Sequence, residues 1–300
     1  MLALSFWSRR PKVPSWALLA APCWVGAASA CDFVVEGAPP SPFVQYEVFA
    51  FDRAIAESEL TVRNRGEAPC ALVVSIETLA GAPPPFAITG ADLFVDVLAP
   101  DLQEPQREEV VPGVFELPLG PGEQRTVRLD FIADQSAVVP AGTYEEQVEL
   151  TVREQTDAVP PERFVLSIGV DAAPQAQVNL SGTDGTYGVA TTDRIDFGEP
   201  EAGEERRLFV QVRANADTRV TMRSREGGRM AHASVPGAYV PYVVEVDGQA
   251  VDLSAPAVVG AYGPTAMEGL NRPMTVRLGE TVNPYAGEYT DEIVVEIAAQ

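Results

Sequence analysis

Apolar and polar residues alternate one by one along most of this 300-residue chain. Glu59-Leu60-Thr61-Val62-Arg63, the run 125–131 and the run 145–152 each switch sides at a period of two, as half-buried β-strands do. Beyond residue 30, no segment keeps apolar residues at i, i+3, i+4 and i+7 over the length of a helix. Proline and glycine, 26 and 24 of them, fall between the runs as punctuation: Pro83-Pro84-Pro85, Gly120-Pro121-Gly122, Pro160-Pro161, Gly227-Gly228. Short strands set apart by such breakers predict an all-β molecule built as a sandwich or barrel.

The pattern is written twice. Ala141-Gly142-Thr143-Tyr144 followed by Val148, Leu150 and Val152 returns as Ala286-Gly287-Glu288-Tyr289 followed by Ile293, Val295 and Ile297. Thr126-Val127-Arg128-Leu129 returns as Thr275-Val276-Arg277-Leu278, 149 residues on. Leu60-Thr61-Val62-Arg63 corresponds to Val210-Gln211-Val212-Arg213, 150 residues on. Two immunoglobulin-like Greek-key β-sandwiches in tandem are expected, over residues 31–172 and 173–300, joined near Asp171-Ala172-Ala173-Pro174. Tyr144 and Tyr289 each follow a sharp glycine turn into a strand. A tyrosine there packs its ring on the core and bonds its hydroxyl to nearby backbone, as tyrosine corners do.

The copies differ at one point. After the first, Phe164, Leu166, Ile168 and Val170 alternate as a closing strand; after the second come only Ala298-Ala299-Gln300. A second sandwich without its final strand is expected, and its unpaired edge needs a strand from another chain. Two other arrangements fit the same pattern. The second half closes with a strand from residues 250–259, or residues 164–170 fold into the second half.

Charge and leader narrow the setting. The formal charge is −22, from 21 basic and 43 acidic residues, which disfavours nucleic acid and anionic lipid as partners; solubility is its plainest meaning. Residues 1–30 read as a secretory signal: Arg9, Arg10 and Lys12, an apolar run to Ala28, then Ala28-Ser29-Ala30 for cleavage. That run is too short to span a bilayer. Its removal leaves Cys31 first and Cys31 and Cys70 as the only cysteines, a pair suited to a disulfide in an oxidising compartment. The competing reading makes Cys31 a lipid-modified N-terminus and leaves Cys70 unpaired.

Catalytic chemistry does not emerge. His232 is the only histidine, so no Ser-His-Asp, Cys-His or zinc set can be assembled, and a strand or turn role is expected for it. Acid pairs such as Asp92 and Asp96, or Glu108 and Glu109, read as solvated faces. The loop Thr183-Asp184-Gly185-Thr186-Tyr187-Gly188 has no helix behind it to cradle phosphate, and no acid spacing supports calcium. No enzyme activity, cofactor or metal is expected.

Order and spacing of motifs in the second half carry a resemblance. Ile195-Asp196-Phe197-Gly198, Val210–Ala216, Gly227–His232, Val240–Gly248 and the terminal Ala286-Gly287-Glu288-Tyr289 stretch resemble the spore coat protein U-like domain. That family includes pilins of archaic chaperone–usher pili in Gram-negative bacteria. The resemblance implies an incomplete immunoglobulin-like subunit, exported through the periplasm to the cell surface. A periplasmic chaperone, an usher and a neighbouring pilin subunit are its implied partners, and the neighbour supplies the missing strand (donor-strand complementation). The acceptor edge is then Ile293, Val295 and Ile297, with Val276 and Leu278 on the groove floor. With Cys31 tied to Cys70, no spare extension is left to donate, which implies a tip adhesin whose first half meets a surface or host ligand. The second half departs from many relatives in lacking cysteines. A periplasmic pilus chaperone, and a structural surface or coat protein without a pilus, are the alternatives.

Overall fold

The structure, a computed structural model, describes residues 31–50, 52–102, 111–135, 138–181, 192–280 and 284–300. The signal expected at residues 1–30, Glu108-Glu109 and the turn-rich loop 183–188 lie outside them. Every regular element among the described residues is a strand or bridge. The first half contains β1 (Phe33–Val35), β2 (Phe43–Tyr46), β3 (Ala54–Asn64), β4 (Cys70–Thr78), β5 (Phe86–Ala87) and β6 (Phe94–Leu98). It continues with β7 (Val114–Leu119), β8 (Gln124–Ala133), β9 (Gly142–Glu154) and β10 (Glu162–Ala172). The second half contains β11 (Ala176–Ser181), β12 (Glu205–Ala214), β13 (Thr218–Ser224), β14 (Arg229–His232), β15 (Tyr239–Val246) and β16 (Gln249–Val251). It ends with β17 (Ala257–Tyr262), β18 (Leu270–Leu278), β19 (Tyr289–Thr290) and β20 (Ile293–Ala299).

In the first half two five-stranded sheets face each other, ordered β1-β3-β8-β6-β5 and β2-β10-β9-β4-β7. Strict alternation drives this packing. Along β3 the inward Ala56, Ser58, Leu60, Val62 and Asn64 are buried, while Ile55, Glu57, Glu59 and Arg63 face solvent. β10 pairs antiparallel with β9 over its whole length and parallel with β2. Residues 164–170 therefore close the first half, not the second. Cys31 and Cys70 are joined by a disulfide with Cα atoms 5.3 Å apart, tying the start of β1 to the start of β4. Closing a loop of this length stabilises by roughly 3–4 kcal/mol through the unfolded state.

The second half is built on the same plan but is thinner. Its larger sheet runs β11-β12-β18-β15-β14-β19, with β16 added to β15; the facing sheet has only β17-β13-β20. β17 flanks β13 on the side away from β20, so the run 250–259 does not close the edge at β20. Among the described residues, the first core holds 34 buried apolar residues with 8 half-buried against it, the second 13 with 12. Nearly half of the residues of the second core are thus only half-buried.

Pairing also corrects the repeat. Leu60 faces Val127 across β3–β8, whereas Val210 faces Arg272 across β12–β18. With β3 laid on β12 at 150 residues, β8 lies on β18 at 145, so Val276 and Leu278 take the places of Phe131 and Ala133. The Thr-Val-Arg-Leu match is out of register by four, an even number that preserves every inward position and so hides the slip. At 145 residues the corners coincide: Gly142 and Gly287 adopt φ of 159° and 150°. Tyr144 Oη donates to Pro140 O at 2.8 Å and Tyr289 Oη to Tyr285 O at 3.1 Å, both four residues back.

The halves meet at Asn215, in the turn between β12 and β13. Its side chain is fully buried. Nδ2 donates to Val139 O at 3.1 Å and Ala173 O at 3.0 Å, and Oδ1 accepts from Gln175 N at 2.6 Å. Its backbone N–H donates to Gln175 O, and its carbonyl accepts from Ala141 N. Beside it the Arg213 guanidinium lies 4.6 Å from the Phe49 ring centroid.

Candidate functional site at the open edge of the second half

β13 and β20 repeat the ladder of β4 and β9. Val74 faces Val152 and Ile76 faces Leu150 in the first half; Val220 faces Ile297 and Met222 faces Val295 in the second. The difference lies on the other flank. β9 pairs with β10 there, whereas among the described residues β20 pairs with β13 alone. Burial follows pairing: Val148, Leu150 and Val152 are 0 % exposed, while Ile293, Val295 and Ile297 are only half-buried. The side chains are of the same kind at the same positions, so the missing neighbour strand accounts for the exposure.

Val178 and Leu180 on β11, and Ile195 and Phe197 in the segment that holds the chain position of β2, are also half-buried against this core. β11 and β20 are edge strands of the two facing sheets and pack beside each other. The segment at 192–200 forms no ladder; its first-half counterpart β2 has one only because β10 is present. Four residues that sequence reasoning missed therefore join those of β20 as half-buried apolar side chains against this core. Their signal was the paired alternation Val178–Leu180 and Ile195–Phe197, unreadable as an edge until pairing was known. Val276 and Leu278 lie on β18, in the interior of the larger sheet, and are buried. At its first-half end, β20 reaches a cleft lined by Glu47, Phe49, Pro174, Gln175, Ala298 and Ala299.

At the other end of β20 a polar cluster joins the sheets. The Asp291 carboxylate accepts hydrogen bonds from the Tyr242 hydroxyl, the Ser224 hydroxyl at 2.5 Å, Glu226 N at 3.0 Å and Glu292 N at 2.7 Å. Burial first, and then Asp291, push the Tyr242 hydroxyl well above its ordinary range. His232 ends β14. Its Nδ1 accepts from Ser234 N at 2.9 Å and Val235 N at 3.0 Å, while Nε2 faces Ala286 O at 3.2 Å, an arrangement that requires the Nε2–H tautomer. Its ring meets Tyr289 edge-on at 4.8 Å, and its approach to Gly287 leaves no room for a Cβ there. Among the described residues no group of three or more His, Cys, Asp or Glu could hold a metal ion, and no helix is long and apolar enough to cross a membrane.

No family model matches the chain, and no curated protein matches it. Solved structures overlap it loosely. One is the CsuC–CsuE chaperone–tip adhesion subunit pre-assembly complex from archaic chaperone–usher Csu pili of Acinetobacter baumannii. It is 10% identical and covers 89% of this chain and 99% of that one, at a TM-score of 0.47. The CupB6 tip adhesin from Pseudomonas aeruginosa is 14% identical, covering 88% and 92%, at 0.36. A chaperone–tip adhesin complex of CFA/I fimbriae is 9% identical, covering 90% and 84%, at 0.32. Overlap this loose leaves the functional reading to the sheet edges.

Proposed function

We propose that this chain is an exported subunit of a chaperone–usher fibre whose second half accepts a β-strand from another polypeptide. One observation carries it: among the described residues β20 is bonded on one flank, while its repeat counterpart β9 is bonded on both and has Val148, Leu150 and Val152 fully buried. A strand in the place of β10 supplies backbone partners for the free flank and covers Ile293, Val295 and Ile297. Full burial of an exposed side chain contributes about 1.5–3 kcal/mol, and these three, already half-buried, gain the smaller remaining part of it. A periplasmic chaperone first, and then a neighbouring pilin subunit delivered at the usher, are the occupants this reading assigns. The resemblance to the spore coat protein U-like domain points the same way.

Position at the fibre tip belongs to the same reading. Cys31 is fastened to Cys70 two residues ahead of β1, so the described chain around Cys31 is built into the first sandwich and not free to be lent. The first half, closed on its own, is then available to meet a surface or host ligand. The test is export of the full chain with and without its chaperone. A soluble complex with the chaperone, and aggregation or degradation without it, is expected. A soluble monomer whose β20 amides are as protected from exchange as those of β9 overturns the proposal.

A further inference from the structure

Up to Ile293 the two halves carry the same ladder: β4–β9 ends with Thr78 opposite Val148, and β13–β20 ends with Ser224 opposite Ile293. Beyond it they part. β9 runs on towards Gly142 paired only with β10. The corresponding residues of the second half leave the sheet, and Tyr289–Thr290 pair with β14 instead. Asp291 stands at that departure, between β19 and β20. Two of its donors come from opposite sheets, Tyr242 from β15 and Ser224 from β13, and Ser224 Oγ is itself held by Gly228 N at 2.8 Å.

This matters for any strand entering beside β20. Sliding by two residues keeps its apolar side chains on the inner face, so alternation alone cannot choose between registers. A carboxylate held by four donors is different ground from Ile293, Val295 and Ile297: an apolar side chain pressed on it strips water and returns no hydrogen bond. In the first half the place of Asp291 is taken by Glu146, and Ile168 pairs opposite it, fully buried. That pairing cannot be copied onto the Asp291 cluster.

We propose that the Asp291–Tyr242–Ser224 cluster is a stop that sets the register of the incoming strand, whose residue opposite Asp291 is small or polar. This rests on β20 being the acceptor edge. The probes are two synthetic peptides: Arg-Phe-Val-Leu-Ser-Ile-Gly-Val, the sequence of residues 163–170, and the same peptide with serine at its isoleucine. Their binding to the full chain is measured by titration. The serine peptide is expected to bind about tenfold more tightly. Asp291→Leu should reverse that order, and the milder Tyr242→Phe should narrow it. Equal binding of both peptides, or an unchanged preference in either variant, overturns the stop and leaves the acceptor edge standing. Binding of neither peptide overturns both.

Discussion

Single residues hold this molecule at two places where strands do not. Asn215 satisfies its side-chain amide and its own backbone with groups from the first half, the linker and the second half. Asn215→Ala leaves Val139 O, Ala173 O and Gln175 N without their partner, and a loss of about 2–4 kcal/mol is expected from such orphaned buried groups. Faster proteolysis at residues 173–175 should accompany the lowered melting temperature. Tyr242 gives a pH-dependent case. Its folded-state value lies above the ordinary 10.0, so its contribution is whole below about pH 10 and is lost as pH climbs through the folded value. Alkaline unfolding followed by circular dichroism should be less steep in Tyr242→Phe. Neither Asn215 nor Asp291, the partner of Tyr242, was legible beforehand. Asn215 sits in a polar turn whose partners lie up to 76 residues away, and Asp291 is one acid among 43 acidic residues.

At the scale of strands, the chain provides its own control. Leu150→Ala and Val295→Ala remove side chains at equivalent positions, one sealed by β10 and one at a free edge. The first should cost about 2–5 kcal/mol, the second well under half as much in the uncomplemented chain. Urea melts of the two variants measure the gap, and complementation should close it. The all-β class, the tandem plan and the place of the closing strand were readable because inward alternation survives without knowledge of partners. Register was not. A slip of four leaves the hydrophobic pattern unchanged, which is why the Thr-Val-Arg-Leu match set Val276 and Leu278 against Val127 and Leu129 when pairing sets them against Phe131 and Ala133. Val178, Leu180, Ile195 and Phe197 were missed for a related reason: an edge is a property of pairing, and only the fold shows which strand has a neighbour.

On the scale of the whole molecule, the halves differ in self-sufficiency. The first has a full core and a disulfide, and Cys70→Ala should lower its stability by roughly 3–4 kcal/mol without touching the second. Two separate thermal transitions, with only the earlier one raised by a bound strand, are expected by calorimetry. The joint at Asn215 has a mechanical consequence. A pull applied to the far end of the second sandwich crosses to the first through short hydrogen bonds gripping both sides of the linker, so the pair swings as one stiff lever. A tether of the same length without that grip would let each half tumble like a bead on a string.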